Sequence, residues 1–327
     1  MNSIKRITAL YKISVAMTTY NGEKYLPEQL GSILKQSRQV DELVVCDDGS
    51  VDNTVNILNE FSSTAPFSVK IIINEKNLGS TKNFEKAMSI CGGDIIILCD
   101  QDDIWLPDKV KVLENIFSAN PNCGMAFTNA MVVDEKNNPQ GGLWAHYNFG
   151  QKKQKQLRAG NGLNLFIGGN VVTGATAAVA KTFFEETIPF PASLVHDHWL
   201  ATIAVLQNKL FFSDTITINY RRHSSQQLGT PFQNSFSQRA NNVFDFDKSI
   251  NSIQIMLNEL NDRFHLQKKL CNAFTNRINF YRFRNNLQPC KLTRIPKIIM
   301  NLLLGNYHKH ASGFLSAGKD IATEGNV

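Results

Sequence analysis

The sequence predicts an α/β fold: a mostly parallel central sheet flanked by helices, followed by a helical C-terminal extension. Three observations carry this. Short apolar runs alternate with helix-length segments through the first half, most of the runs are β-branched and nearly continuous, and the chain after about Ser235 turns helical and basic. The runs are KISVAMTTY (Lys12 to Tyr20), ELVVCDD (Glu42 to Asp48), VKIIINE (Val69 to Glu75) and DIIILCD (Asp94 to Asp100), read as strands buried on both faces. Between them Tyr25 to Gln36, Asn53 to Phe61 and Thr81 to Ile90 are long enough for crossover helices. Ser50 or Asp52 is expected to cap the second helix, and Pro107 to sit in the first turn of a fourth. GMAFTNAMVVDE reads as a further strand, Lys136 to Gly162 as a mobile polar loop, His196 to Leu206 as a helix and Lys209 to Arg222 as a strand.

The 327 residues are enough for one large or two modest domains, and the 43% hydrophobic content excludes a disordered chain. No apolar stretch reaches about 18 residues, so a spanning helix is not expected. The opening MNSIKRITALYKISV lacks a signal-peptide core, and six cysteines without CxxC or zinc spacing suit a reduced compartment, so a cytoplasmic protein is expected. Net charge is +6, but residues 261–327 hold 11 Lys/Arg against 3 Asp/Glu, while the other 260 residues hold 23 against 25. A slightly acidic body thus precedes a basic tail. Nucleic acid is a poor partner for that tail, since no binding motif accompanies the charge. The run RIPKIIMNLLL (294–304) has cations nearby and is too short to cross a bilayer. Two readings stay open: peripheral contact in the lipid headgroup region, or a packed helix with its charges in water.

In open α/β sheets ligands bind beyond the carboxyl ends of the strands. Here those ends deliver Thr18, Asn21, Asp47, Asp48, Asn77, Gly79, Asp100, Asp102 and Asp103 to one edge. Any one alone is ordinary turn chemistry; four in succession are harder to explain so. In DQDD, Asp100 and Asp102 alternate with Gln101 and point to one side in extended backbone, where two carboxylates repel unless a cation intervenes. Few, hard oxygen ligands suit Mg²⁺ or Mn²⁺ completed by substrate phosphates, with Asp103 left as a helix cap. In DDGS a carboxylate can accept from the imide N–H of uracil or thymine or from ribose hydroxyls, while the same four residues also make a capped turn. Arg221, Arg222 and His223 beyond the last strand suit a diphosphate, or form a solvated basic lip. Gly174 and Ala175 are small enough to let a sugar approach the backbone; Trp199 could stack on a sugar, and Trp105 is read as core. No GxGxxG or P-loop occurs, which disfavours dinucleotide oxidoreductases and pyrophosphorylases.

These motifs carry a resemblance. ISVAMTTYNGEKYLPEQLGSILKQS, DELVVCDDGSVDNT, NLGSTKNFEKA and ILCDQDDIWLPDK, continuing through GGNVVTGATAAVAK and HDHWL to INYRRHSSQQLG, resemble the inverting family-2 glycosyltransferases over residues 12–229. Within them the chain is most similar to bacterial rhamnosyltransferase-type enzymes that build surface polysaccharides such as O-antigen. The resemblance implies a GT-A-type, Rossmann-like fold in residues 1–230, with a nucleotide-binding half (1–123) and an acceptor half (124–230), ahead of the basic helical region 231–327. It implies a metal-dependent transfer of a sugar, with rhamnose favoured, from a dTDP- or UDP-sugar to a saccharide or lipid-linked acceptor, at Mg²⁺ or Mn²⁺. On the matching positions, Thr18, Tyr20 and Asn21 would line the nucleoside, Asp48 would contact the base, and Lys82 would reach the nucleotide. Asp100 and Asp102 would contact ribose and metal, Arg222 the diphosphate, and His223 the metal or a phosphate. Asp197 would be the catalytic base, although on residue type alone it reads equally as a helix N-cap. The family usually has an acid just before it, where this chain has His196; either flanking histidine is a further candidate proton acceptor. The alternative is a non-catalytic relative that keeps the fold for binding or scaffolding.

Overall fold

The computed structural model describes residues 11–224, 226, 244–288 and 290–322, so the expected domain boundary at 230 lies outside the described residues. The chain divides into two units, residues 1–162 with 170–226, and residues 163–169 with 227–327.

In the first unit the alternating pattern becomes β1 (Ile13–Thr19), α1 (Leu26–Leu34), β2 (Glu42–Asp47), α2 (Thr54–Thr64), β3 (Ser68–Ile73), α3 (Ser80–Ile90) and β4 (Ile95–Cys99). Strand order β3-β2-β1-β4 is parallel throughout, and the register sets Thr19 beside Asp47, Met17 beside Cys99 and Asp47 beside Ile73. The carboxyl ends therefore finish level, and the loops that follow them share one edge. Every residue of β2 and β4 is buried, as continuous β-branched runs require. β3 departs from that expectation: at the end of the sheet's strand order it alternates between half-buried and exposed, and Ile73 faces solvent. α1 buries Leu26, Leu30 and Ile33, one stripe at helical spacing, against this sheet.

Beyond β4 the sheet changes character. It continues through β8 (Ala177–Ala180), β6 (Met125–Val133), β9 (Leu210–Arg221) and β5 (Ile104–Trp105); β8 runs antiparallel to both neighbours, β6 and β9 are parallel, and β5 is antiparallel to β9. Parallel pairing is thus strict only in the first half. β5 brings the segment after β4 against the end of β9, pairing Ile104 with Asn219. α4 (Lys109–Ala119) starts two residues beyond Pro107, so the proline precedes the helix instead of opening it. Asp52, not Ser50, serves the start of α2, accepting from the Thr54 N–H and hydroxyl.

The segment 136–162, expected to be mobile, is structured. It forms β7 (Pro139–Gly142), paired with β6, then α5 (Leu143–His146) and α6 (Gln151–Arg158). Its anchors are Trp144 and Phe149, whose rings lie 5.0 Å apart edge-on and pack with Phe127 and Phe212. Anchors this sparse leave no periodicity in a polar sequence, so the segment reads locally as loop. A cavity of about 600 Å³ lies at the start of β9, lined among others by Ile116, Leu157, Arg158, Asn208 and Phe212. The remaining helices of this unit are α8 (Lys181–Thr187) and α9 (His196–Leu206), and α9 spans the predicted residues.

The second unit holds α7 (Leu163–Phe166), α10 (Phe246–Phe264), α11 (Lys268–Asn285), α12 (Lys291–Leu303), α13 (Asn306–His310) and α14 (Phe314–Ala322). Asp245 caps α10 by accepting from the Lys248 N–H, and the helix ends where His265 adopts a left-handed conformation. Its core gathers Met256, Leu260, Phe274, Ile278 and Tyr307 around buried Arg277, whose guanidinium donates to the carbonyls of Asn164 and His310. Arg284 grips Asp320 at 2.6 and 2.7 Å, and the Tyr307 hydroxyl donates to the same carboxylate. Among the described residues no helix is long and apolar enough to cross a membrane.

Candidate active site

The first two strand-end loops are stitched to each other before any ligand is considered. Asn21 takes a left-handed conformation (φ 48°), its N–H donates to Ser50 Oγ at 2.8 Å, and its side-chain oxygen accepts from the Val51 N–H. The Tyr20 N–H donates to Gln101 Oε1 at 2.9 Å, tying the end of β1 to that of β4; the Tyr20 ring is exposed and Thr18 half-buried.

Asp47 and Asp48 are both buried and both committed. Asp47 accepts from the Thr19 and Ser50 hydroxyls and from the N–H groups of Gly49 and Ser50, closing the turn at Gly49 (φ 85°). Asp48 accepts from Asn74 Nδ2 and from the Leu78 and Gly79 N–H groups at 2.8–2.9 Å, so it fixes the loop that leads into α3. Lys82 ion-pairs with Glu85 one turn along α3 at 2.7 Å, and Lys86 donates to Asn74.

The other acidic loop is held differently. Asp103 is not a helix cap: its buried carboxylate accepts from the Arg221 N–H at 2.9 Å, and its second oxygen has no partner among the described residues. Asp102 lies 2.8 Å from His223 Nε2, and the His223 ring packs on Tyr25. Burial, then the charges of Asp102 and Asp197, push the Asp100 carboxyl up to about 7. Asp103 is pushed well above the carboxylate range by burial, then by the charges of Asp102 and Asp100. Arg221 sits beneath them, donating to the Asp102 carbonyl, pairing with Glu28 and lying over Tyr25.

A lysine that local pattern gives no reason to single out completes this cluster. Lys109, second-to-none in burial at 0% exposed, donates to the Ala175 carbonyl, stands 4.1 Å over the Trp105 ring and lies in Coulomb reach of Asp100 and Asp103. Burial pulls its ammonium down to about 8.

Asp197 opens α9. Its carboxylate accepts from Asn170 Nδ2 at 3.0 Å and from the Gly174 N–H at 2.9 Å, and burial raises it to about 6 despite those donors. The field of Asp197 reaches Asp100, and both Asp197 and Arg222 act on Tyr147, whose hydroxyl meets Thr173 Oγ1. Asp197, Asp100, Asp102, Arg222 and His223 are thereby brought to one region; Asp48 and Lys82 serve the neighbouring loop at α3.

Two expectations, for His196 and Trp199, are corrected. His196 is buried, stacks on Phe84 at 4.0 Å and is pulled down to about 3 by desolvation, so it is no proton acceptor near neutral pH. Gly174 has a packing reason to be small: a Cβ there would stand 2.7 Å from His196 Nε2. Trp199 is fully buried with its indole N–H on the Thr187 carbonyl, which leaves no face for stacking on a sugar; Trp105 is core, as read.

Do these residues fit a divalent cation? Among the described residues no three His, Cys, Asp or Glu side chains converge as a metal cage. Asp100 nonetheless lies in the field of Asp102, which has His223 beside it. One or two carboxylates, completed by water and substrate phosphate, are what Mg²⁺ normally takes from a protein, so the residues present fit.

Comparison with known proteins supports this assignment of the fold. dTDP-rhamnosyl transferase RfbG of Shigella flexneri is 30% identical over 227 residues, covering 65% of this chain and 73% of that protein. An uncharacterized glycosyltransferase of Nostoc sp. is 31% identical over 114 residues, so the chain spans only 35% of that relative's length. Staphylococcus aureus TarS, solved in complex with UDP-GlcNAc, superposes with a TM-score of 0.59 over 94% of this chain and 90% of that one; at 17% identity this speaks for the fold alone, which is GT-A-type. The profile described as Glycosyl transferase family 2 matches residues 14–185, more than half the chain, and the protein belongs to that family.

Proposed function

We propose that the protein is an inverting, metal-dependent glycosyltransferase. It moves a sugar, rhamnose by preference, from a dTDP- or UDP-sugar to a saccharide acceptor, free or lipid-linked, in cell-surface polysaccharide synthesis in the cytoplasm. The likeness to RfbG favours a dTDP-rhamnose donor. The observation that carries the reading is the Asp197 carboxylate, fixed by Gly174 and Asn170 at the start of α9, with its field reaching Asp100. A buried carboxylate raised to about 6 is a better base than a solvated one and is still ionised at neutral pH. In the proposed step Asp197 takes the acceptor hydroxyl proton as that oxygen attacks the anomeric carbon. The bond from that carbon to the diphosphate breaks, and the nucleoside diphosphate leaves with the electron pair. Asp100, Asp102 and His223 would hold Mg²⁺ or Mn²⁺, whose charge offsets that of the leaving diphosphate. Arg222 would add a fixed positive charge, and Thr18, Tyr20, Asn21, Asp48 and Lys82 would seat the nucleotide, Asp48 through the loop it fixes.

The test is turnover of dTDP-rhamnose and a panel of UDP-hexoses, with Mg²⁺ or Mn²⁺ and with EDTA. Turnover of at least one donor that EDTA abolishes is expected. Donor binding with no transfer to any acceptor would favour a scaffold, and transfer indifferent to EDTA would remove the metal from the reading.

A further inference from the structure

Thirteen large hydrophobic side chains are exposed among the described residues, and seven of them (Leu292, Ile299, Met300, Leu303, Leu304, Phe314 and Leu315) fall within α12, α14 and the turn after α12, at 47% to 87% exposure. Leu292, Ile299 and Leu303 recur at helical spacing along one stripe, while Arg294 and Ile298 occupy the opposite, buried side. α12 is therefore mounted with its apolar side outward, the reverse of an ordinary surface helix. It is held that way: Arg294 donates inward to the Ile321 carbonyl, and α12 packs on both α13 and α14. The setting is cationic. Lys291, Lys297, Lys309 and Lys319 are exposed, and the single acidic side chain between residues 291 and 322, Asp320, is engaged by Arg284 and Tyr307.

We propose that this face docks the protein on an anionic lipid surface. An apolar stripe edged by lysines lies in the plane of the headgroups, with its apolar side chains at the acyl boundary and its cations on the phosphates. A second copy of the chain is a poorer occupant, because face-to-face pairing would set the lysine rims of both copies against each other.

The experiment is flotation of the full chain with vesicles of phosphatidylcholine alone or mixed with phosphatidylglycerol, without donor or acceptor, so that it stands apart from the transfer reaction. The wild type should float with the anionic vesicles and less so as salt rises. The variant Ile299→Ser, Leu303→Ser, Leu315→Ser alters only exposed side chains and should retain the wild-type thermal unfolding curve while binding about tenfold more weakly or worse. Lys291→Gln with Lys297→Gln and Lys309→Gln should erase the preference for phosphatidylglycerol. A wild type that stays with the protein-only fraction, or a triple serine variant that floats equally well, overturns the proposal. So does a dimer in light scattering that the serine variant abolishes, since the face would then join two copies.

Discussion

Two strand ends on the same edge of the sheet carry clustered aspartates, Asp47-Asp48-Gly49-Ser50 at the end of β2 and Asp100-Gln101-Asp102-Asp103 after β4, and the fold treats them in opposite ways. After β2 the acceptor oxygens face donors from the turn itself and from the loop before α3. After β4 the aspartates lie in one another's field, with one oxygen of Asp103 unpartnered among the described residues, His223 on Asp102 and buried Lys109 in reach of Asp100 and Asp103. The first pair is architecture, satisfied in the folded chain. The second holds charge in reserve, at a cost to the fold that makes sense when something charged arrives.

That contrast can be broken experimentally. The largest effect should come from Asp197→Asn, which removes the proposed base while leaving the acidic loop and donor site intact. Its kcat should fall by about 10³-fold, within the range of general-base contributions, with donor affinity by calorimetry nearly unchanged. A collapse of donor affinity would make Asp197 a binding residue. Next, Lys109→Met should cost about 3–5 kcal/mol in urea unfolding, as removal of one partner of a buried charge cluster does. A null effect would mean the three aspartates need no internal cation. Asp47→Ala should cost about 2–4 kcal/mol through its lost buried acceptors, whereas Asp102→Asn should change stability little and activity strongly. Equal behaviour of the two would dissolve the distinction between the loops.

The smallest effect is the pH dependence. Asp197, raised to about 6 by burial, should make kcat/KM fall about tenfold per pH unit below that value. Its effect on stability has the other sign. A folded-state value above the unfolded 3.8 means the fold holds the proton more tightly, so this group stabilises most in acid and loses that contribution as pH rises from about 4 to about 6.

Much of this was legible in the chain because it is local. Short apolar runs placed β1, β2 and β4, and α9 fell on the predicted residues, since each pattern lies within a dozen positions. What escaped depends on distant partners. Asp103 looks like a cap until β9 brings the Arg221 N–H to it from 118 residues away. Lys109 in KVKV looks like a solvated helix cation until α4 seats it over the Trp105 ring and against the Ala175 carbonyl. The apolar run 294–304 was visible, but which way α12 would face was not, because that is set by Arg294 reaching Ile321.

The stacked rings of Phe84 and His196 have a consequence for how the two halves of the reaction stay aligned. Phe84 belongs to α3, whose entry loop Asp48 grips, and His196 precedes the proposed base on α9. The pair packs between the loop proposed to seat the donor and the residue proposed as base, and its fit depends on the missing methyl of Gly174, whose own N–H holds Asp197. His196 thus sets a packing distance between α3 and the start of α9.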